Sequence, residues 1–243
     1  MARLVICFLY LSGYLIYSLP QLRLMKKLDP KMDVAKRDQL VHRIPKQWSE
    51  VMMKLTGSTI TVEGQDRIPD GPVVLISNHE GDFDIPVLLG SIDKPFGFVS
   101  KIEVKKVPIL ANWMEVMNCV FLNRKDRQQA LRSIREGVKL LKKGHSLVIF
   151  PEGTRSKGGP IKHFKSGSFR LAVDAKVPIV PISIIGTSNV FEKNNRLIKP
   201  AEIKVIIGQP VVSHIHSEKD IKELAAEVRE IIVSQIEKKR IAS

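Results

Sequence analysis

The chain has 243 residues, 44% hydrophobic and 26% charged, which fits one sizeable domain with an appendage or two small ones and excludes a disordered chain. Lys and Arg number 39 against 25 Asp and Glu, a formal charge of +14, so the partner is expected to be acidic: nucleic acid, anionic lipid or a phosphorylated substrate. Only two cysteines are present; Cys7 lies in an apolar stretch and Cys119 before a strand-like run, so two buried thiols in a reducing compartment are expected, with no disulfide framework.

Residues 4–22, LVICFLYLSGYLIYSLPQL, carry no charge, and the basic run RLMKK follows at 23–27. No small-residue cleavage site ends the run, so it does not read as a secretory signal. The stretch before Pro20 covers 16 residues. As a helix that is about 24 Å, short of the roughly 30 Å hydrocarbon core, so a span requires the helix to continue through Pro20. Residues 1–56 hold ten Lys or Arg and four Asp or Glu. Apolar residues followed by cations suit an anionic leaflet, and the reading is a monotopic anchor, with a buried core helix as the alternative. Residues 33–56 have a helical pattern despite Pro45, with Leu40, Ile44, Trp48, Val51 and Met52 apolar and Gly57 as the stop. A break near Asp29-Pro30 makes the N-terminus a helical hairpin. Residues 1–57 are therefore expected to form a two-helix membrane anchor and 58–243 an α/β domain.

From residue 59 short β-branched runs alternate with helical patterns. Strands are predicted at 59–63, 72–77, 96–100, 118–122, 146–150, 178–185 and 203–207, and helices at 84–91, 103–116, 126–143 and 166–176. Such alternation predicts a single mixed, largely parallel sheet flanked by helices. In the helix at 126–143, Leu131, Ile134, Val138 and Leu141 share one face, Gly144 closes it, and the other face is basic. The C-terminal helix is predicted to start at the capping residue Ser217, with Ile221, Leu224, Val228, Ile231 and Ile232 as its packing stripe.

Residues 78–84 read NHEGDFD, between the apolar runs PVVLIS and IPVLLG. Three readings compete: a solvated turn, a metal site of His79, Asp82 and Asp84, or a general base with its orienting acid. Asn78, His79 and Asp84 follow a strand, at the edge where open α/β sheets bind ligands. A turn between His79 and Asp84 brings the carboxylate to one imidazole nitrogen and leaves the other to accept a proton. No G-x-S-x-G elbow supplies a serine nucleophile, so the proton would come from a substrate hydroxyl. The metal reading lacks a further His or Cys cluster to complete it. A second constellation, FPEGTRS at 150–156, also follows a strand: Gly153 allows a tight turn, Thr154 can donate a hydrogen bond, and Arg155 offers a two-pronged guanidinium suited to phosphate. Arg124, beside Asn123, and Lys101 end two further strands at the same edge.

These residues resemble the glycerolipid acyltransferases, closest to the bacterial 1-acyl-sn-glycerol-3-phosphate acyltransferases, over roughly residues 60–210. Residues 78–84 match the N-H-x-x-x-x-D block and VFLNR at 120–124 the second, with Asn123 where an Asp is common. FPEGTRS matches the third block, VPIVPI at 177–182 the fourth, and SKIEVKKVP at 100–108 an intervening Lys-x-Glu segment. The resemblance implies acyl transfer from a thioester to the sn-2 hydroxyl of lysophosphatidic acid, giving phosphatidic acid. It makes His79 the general base, Asp84 its orienting acid, and Lys101, Arg124, Glu152, Gly153, Thr154 and Arg155 the glycerol-phosphate pocket. Glu152 would orient an arginine or a glycerol hydroxyl, Lys101 would neutralise phosphate or polarise the oxyanion, and Lys105 would stand in reserve. Val180, Pro181 and Ile182 would shape an acyl channel or serve structure. No metal or bound cofactor is implied; coenzyme A or acyl carrier protein is the cosubstrate, and the cytoplasmic face of the cell inner membrane the expected location.

Rival readings are a metal-dependent phosphoesterase, a nucleic-acid-binding protein and a non-catalytic lipid-binding protein; within the enzyme class, glycerol-3-phosphate or another lysophospholipid could be the acceptor. Aromatic content of 6%, the absence of a nucleic-acid motif and the apolar N-terminus count against nucleic acid.

Overall fold

The computed structural model describes residues 1–212 and 218–241 and contains all seven expected strands. They are β1 (Thr59–Glu63), β2 (Val74–Ser77), β3 (Gly97–Lys101), β4 (Val120–Leu122), β5 (Leu147–Ile149), β6 (Ile179–Ile185) and β7 (Glu202–Ile207), in one sheet ordered β1-β7-β6-β2-β5-β3-β4. Pairing from β6 to β4 is parallel, as is β1 with β7, whereas the β6–β7 pair is antiparallel. The central strand β2 is buried along its whole length, which is why its sequence is a continuous apolar run rather than an alternating one.

Alternate side chains of the central strands feed two apolar clusters. Leu75, Val148, Val180 and Ile182 lie on one face, with α3 (Val34–Thr56), α4 (Asp84–Ser91) and α5 (Pro108–Val116). Val74, Ile76, Ile149 and Ile179 lie on the other, beneath α6 (Arg127–Lys142), α7 (Arg170–Ala175) and α8 (Glu218–Ile241). The predicted helix at 103–116 is split: a 3-10 segment at Ile102–Lys106 precedes α5, which begins at Pro108, where a missing N–H costs nothing. The segment 166–176 likewise opens as a 3-10 turn, Ser166–Ser168, before α7. The expected cap Ser217 lies outside the described residues; of the expected stripe of α8, Ile221, Leu224, Val228 and Ile232 are buried and Ile231 is half-buried.

The N-terminal region contains three helices where two were expected. α1 (Ala2–Tyr17) stops at Ser18, and α2 (Leu19–Lys26) departs from it at 45°, with Pro20 in its first turn. The Ser18 hydroxyl marks the bend, donating to the Leu15 carbonyl at 2.9 Å and accepting from the Trp113 indole at 2.8 Å. α3 runs through Pro45 without a break. The Tyr14 hydroxyl donates to the Ile44 carbonyl at 3.1 Å, and Asp38 on α3 pairs with His145 at 2.6 Å. Val41, Met52 and Met53 of α3 share a core with Val87 and Leu88 of α4, so these helices are packed onto the sheet. The outer side of α1 and α2 stays apolar and exposed: Val5, Ile6, Phe8, Leu9, Ile16 and Leu24. Both cysteines are buried.

One glycine is set by backbone approach. A methyl group on Gly97, at the start of β3, would lie 2.7 Å from the carbonyl oxygens of both Met117 and Asn118. Gly97→Ala is expected to cost about 1–3 kcal/mol, seen as a lower urea midpoint; an unchanged midpoint would show that β3 and β4 separate freely.

Candidate active site

β2 delivers Asn78 and His79 to the carboxyl edge of the sheet, and the chain turns through Glu80–Phe83 into α4, whose first residue is Asp84. The His79 Nδ1 lies 2.6 Å from the Asp84 Oδ2, as the spacing predicted. Asp84 is fully buried, whereas the His79 side chain is 18% exposed. Asp84 is held on all sides: its Oδ2 also accepts from the Gly81 N–H at 3.1 Å, and its Oδ1 accepts from the Thr187 hydroxyl. The imidazole stacks on Phe150 with centroids 4.1 Å apart, and Phe150 stacks on Phe98 in turn. Among the described residues Nε2 has no hydrogen-bond partner. A solvent-reaching nitrogen on a ring whose other nitrogen faces a buried carboxylate is the geometry of a general base.

The turn is fixed from β6, a contribution the sequence reading missed. The Asn78 amide forms two 2.8 Å bonds with the backbone of Ile184, one donated and one accepted. Glu80 is 5% exposed, and its Oε2 accepts from Gly186 N–H at 3.0 Å, Ser188 N–H at 3.3 Å and the Ser188 hydroxyl at 3.2 Å. Burial pushes the Glu80 carboxyl up, and these donors oppose the shift. Thr187 and Ser188 sit just past the end of β6, so the strand-end criterion that singled out Arg124 and Lys101 applied to them also. Glu192, in the 3-10 turn Glu192–Asn194, carried no such signal. Its Oε1 accepts from the Asp82 N–H at 2.7 Å, and a methyl group on Gly81 would meet its Oε2 at 2.3 Å. Burial raises the Glu192 carboxyl as well.

The segment FPEGTRS is stitched to the same turn: Ser156 N–H donates to the His79 carbonyl at 2.7 Å, and Lys157 N–H to the Glu80 carbonyl at 2.9 Å. Glu152 was expected to orient an arginine or a glycerol hydroxyl, and its hydrogen bonds go to the main chain. Its two oxygens accept from the backbone N–H groups of His79, at 2.8 Å, and Lys162, at 2.9 Å, so it fixes the base's main chain and does not orient an arginine. Its carboxyl is raised by burial, against those bonds. Gly153 takes a left-handed φ of 71°, and its carbonyl accepts from Arg124. Burial pushes the Arg124 guanidinium down.

Arg155 is already engaged, in an ion pair with Asp82 and 3.9 Å from Glu192. Asp82 is thus taken up by Arg155, and among the described residues no group of three or more His, Cys, Asp or Glu side chains is placed to hold a metal ion. Thr154 is exposed beside Gly153, and Lys101 is exposed at the end of β3. Lys105 lies over the Phe121 ring at 4.5 Å and pairs with Glu115 at 3.7 Å. Asn123 shapes the entry to α6: its Nδ2 donates to Gln129 at 3.0 Å and its Oδ1 accepts from Lys125 N–H at 3.1 Å. Val180 and Ile182 are fully buried in the core and Pro181 accepts from Gly208 N–H at 2.8 Å, so of the two tasks expected of this block the structural one matches their placement. Cys119, 7% exposed and pushed up to about 12 by burial, is no nucleophile.

Comparison with known proteins places these motifs in context. The acyltransferase family model matches residues 59–185. A chloroplastic 1-acyl-sn-glycerol-3-phosphate acyltransferase of Arabidopsis thaliana is 35% identical over 178 residues, 72% of this chain and 49% of that protein. With a Brassica napus relative matched over 51% of its length, the chain spans about half the length of these two plant proteins. The 1-acyl-sn-glycerol-3-phosphate acyltransferase of Borreliella burgdorferi is 30% identical over 77% of this chain and 72% of its own. The crystal structure of the Thermotoga maritima 1-acyl-sn-glycerophosphate acyltransferase superposes with a TM-score of 0.81 at 27% identity, over 97% of this chain and 95% of that one.

Proposed function

This chain belongs to the acyltransferase family, and on that premise we propose that it transfers a fatty acyl group from a thioester to the sn-2 hydroxyl of 1-acyl-sn-glycerol-3-phosphate. The observation that carries the reading is the buried Asp84 carboxylate 2.6 Å from Nδ1 of a partly exposed His79. Nε2 of His79 takes the proton of the acceptor hydroxyl as its oxygen attacks the thioester carbonyl. Asp84 fixes the tautomer and stabilises the imidazolium, which then protonates the departing thiolate. Attack is direct, without an acyl-enzyme.

Arg124, Gly153 and Thr154 line the acceptor's phosphate end, and Arg155 joins them by exchanging Asp82 for phosphate. Lys101 neutralises charge at the neighbouring strand end. The donor is acyl carrier protein or coenzyme A; the exposed Arg132, Arg135, Lys139 and Lys142 of α6 suit the negative charge either carries. A metal-dependent phosphoesterase fits less well, because Asp82 faces Arg155. The test is a matrix of both donors against lysophosphatidic acid, glycerol-3-phosphate, lysophosphatidylcholine and monoacylglycerol. Turnover should be highest on lysophosphatidic acid; a higher kcat/KM on any other acceptor would overturn the assignment.

The acceptor and product reside in a bilayer, and we place the protein on the cytoplasmic face of the inner membrane, held in one leaflet by α1 and α2. Among the described residues no single helix is long and apolar enough to cross; α1 and α2 reach the length together only as a pair bent by 45°. Phe8 and Leu9, adjacent on α1 and 65% and 63% exposed, are available to enter the leaflet. Burying each contributes about 1.5–3 kcal/mol, so the Phe8→Glu, Leu9→Glu double variant should bind anionic vesicles at least about a hundredfold more weakly. Unchanged co-sedimentation would remove α1 from the interface.

A further inference from the structure

Lys165 lies outside every motif named above, in the loop between β5 and α7, yet its side chain reaches Gly153. Its main chain is pinned: Lys165 N–H donates to the Pro151 carbonyl at 3.1 Å, and its own carbonyl accepts from Ser168 N–H at 3.0 Å. From that fixed point the side chain returns to the FPEGTRS turn. A methyl group on Gly153 would lie 2.9 Å from the Lys165 Nζ and 3.2 Å from a terminal nitrogen of Arg124. The two cations therefore lean over the same bare Cα from two elements and stand within about 6 Å of each other, a like-charge approach that is unfavourable until an anion lies between them. Among the described residues neither forms a salt bridge. The charge of the exposed Glu103 offsets part of the effect of burial on Arg124. Arg155, by contrast, already has Asp82 and Glu192 beside it.

We propose that Lys165 and Arg124 form a two-cation clamp over Gly153 that holds the phosphate of the acceptor. Gly153 supplies the floor, since any side chain there would fill the notch. Glu152, one residue earlier, holds the main chain of His79, so the clamp fixes the distance between the phosphate and the base. Arg155, paired with Asp82 and Glu192, adds to the clamp only after it releases Asp82. The proposal rests on the reading of a phosphorylated acceptor, and two experiments keep the failures apart.

The first compares kcat/KM on micellar lysophosphatidic acid and on monoacylglycerol of the same chain for the wild type, Lys165→Met and Lys165→Arg. A charge-assisted contact to phosphate predicts that Lys165→Met loses about tenfold to a hundredfold more on lysophosphatidic acid than on monoacylglycerol, chiefly in KM, and that Lys165→Arg restores most of the preference. Equal losses on both acceptors, or an unchanged preference, would overturn the clamp. The second needs no turnover. Reductive methylation of Lys165 in the wild type, read by mass spectrometry, should be slowed by lysophosphatidic acid and not by monoacylglycerol, and the protection should weaken in Arg124→Ala. Acyl transfer to lysophosphatidic acid without protection of Lys165 sinks the clamp and leaves the enzyme; protection without transfer upholds the clamp and sinks the acyltransferase reading.

Discussion

Replacing His79 with Ala should lower kcat by about 10²–10⁴-fold while the protein stays folded. The ring makes one side-chain hydrogen bond, to Asp84, and a stacking contact with Phe150, and it is partly exposed. Losing a stacked pair costs roughly 0.5–1.5 kcal/mol, too little to unfold a domain whose core is spread over two apolar clusters. The Asn78, Glu80 and Glu152 bonds that shape the turn do not pass through the ring. Transfer lost to that extent, with a cooperative melting curve whose midpoint falls by only a few degrees, is the expected pair of results. A variant that kept most of its turnover would remove His79 from the proton path.

Asp84→Asn should be nearly as severe, because the amide keeps the shape and loses the charge. Three donors meet this carboxylate, and an Asn oxygen can still serve His79 and Gly81 while its NH₂ faces Thr187, whose hydroxyl can turn to accept. Folding is thereby preserved, and the imidazolium formed in the reaction loses its counter-charge. For the analogous change in a Ser-His-Asp triad the loss is about 10⁴-fold, and a fall of about 10³–10⁴ in kcat is expected here. Thr187→Val, which removes one donor, should cost up to about tenfold, with Thr187→Ser recovering it. Normal turnover in Asp84→Asn would show that the pair is structural.

The sequence announced the sheet and the base because both rest on local rules. Apolar runs such as VLIS have one way to be buried on both faces, and His79 and Asp84 meet within a single turn. What stayed hidden depends on partners far along the chain. Glu152 reads as a charged pocket residue until the folded chain puts the N–H groups of His79 and Lys162 on its two oxygens. Thr187 lies 103 positions from the carboxylate it orients, and Lys165 acquires meaning only when its side chain is found over Gly153. The break at Ser18 was half legible: Pro20 signalled an interruption, but the Trp113 bond that sits at the bend comes from α5.

The most direct test is to incubate the purified full chain with lysophosphatidic acid and a thioester carrying an isotopically labelled acyl chain, with EDTA present, and to locate the label in the product. The expected product is phosphatidic acid with the labelled chain at the sn-2 position, formed equally fast with and without the chelator. Label at another hydroxyl, or inorganic phosphate in place of phosphatidic acid, would contradict a His79-driven attack by the sn-2 oxygen.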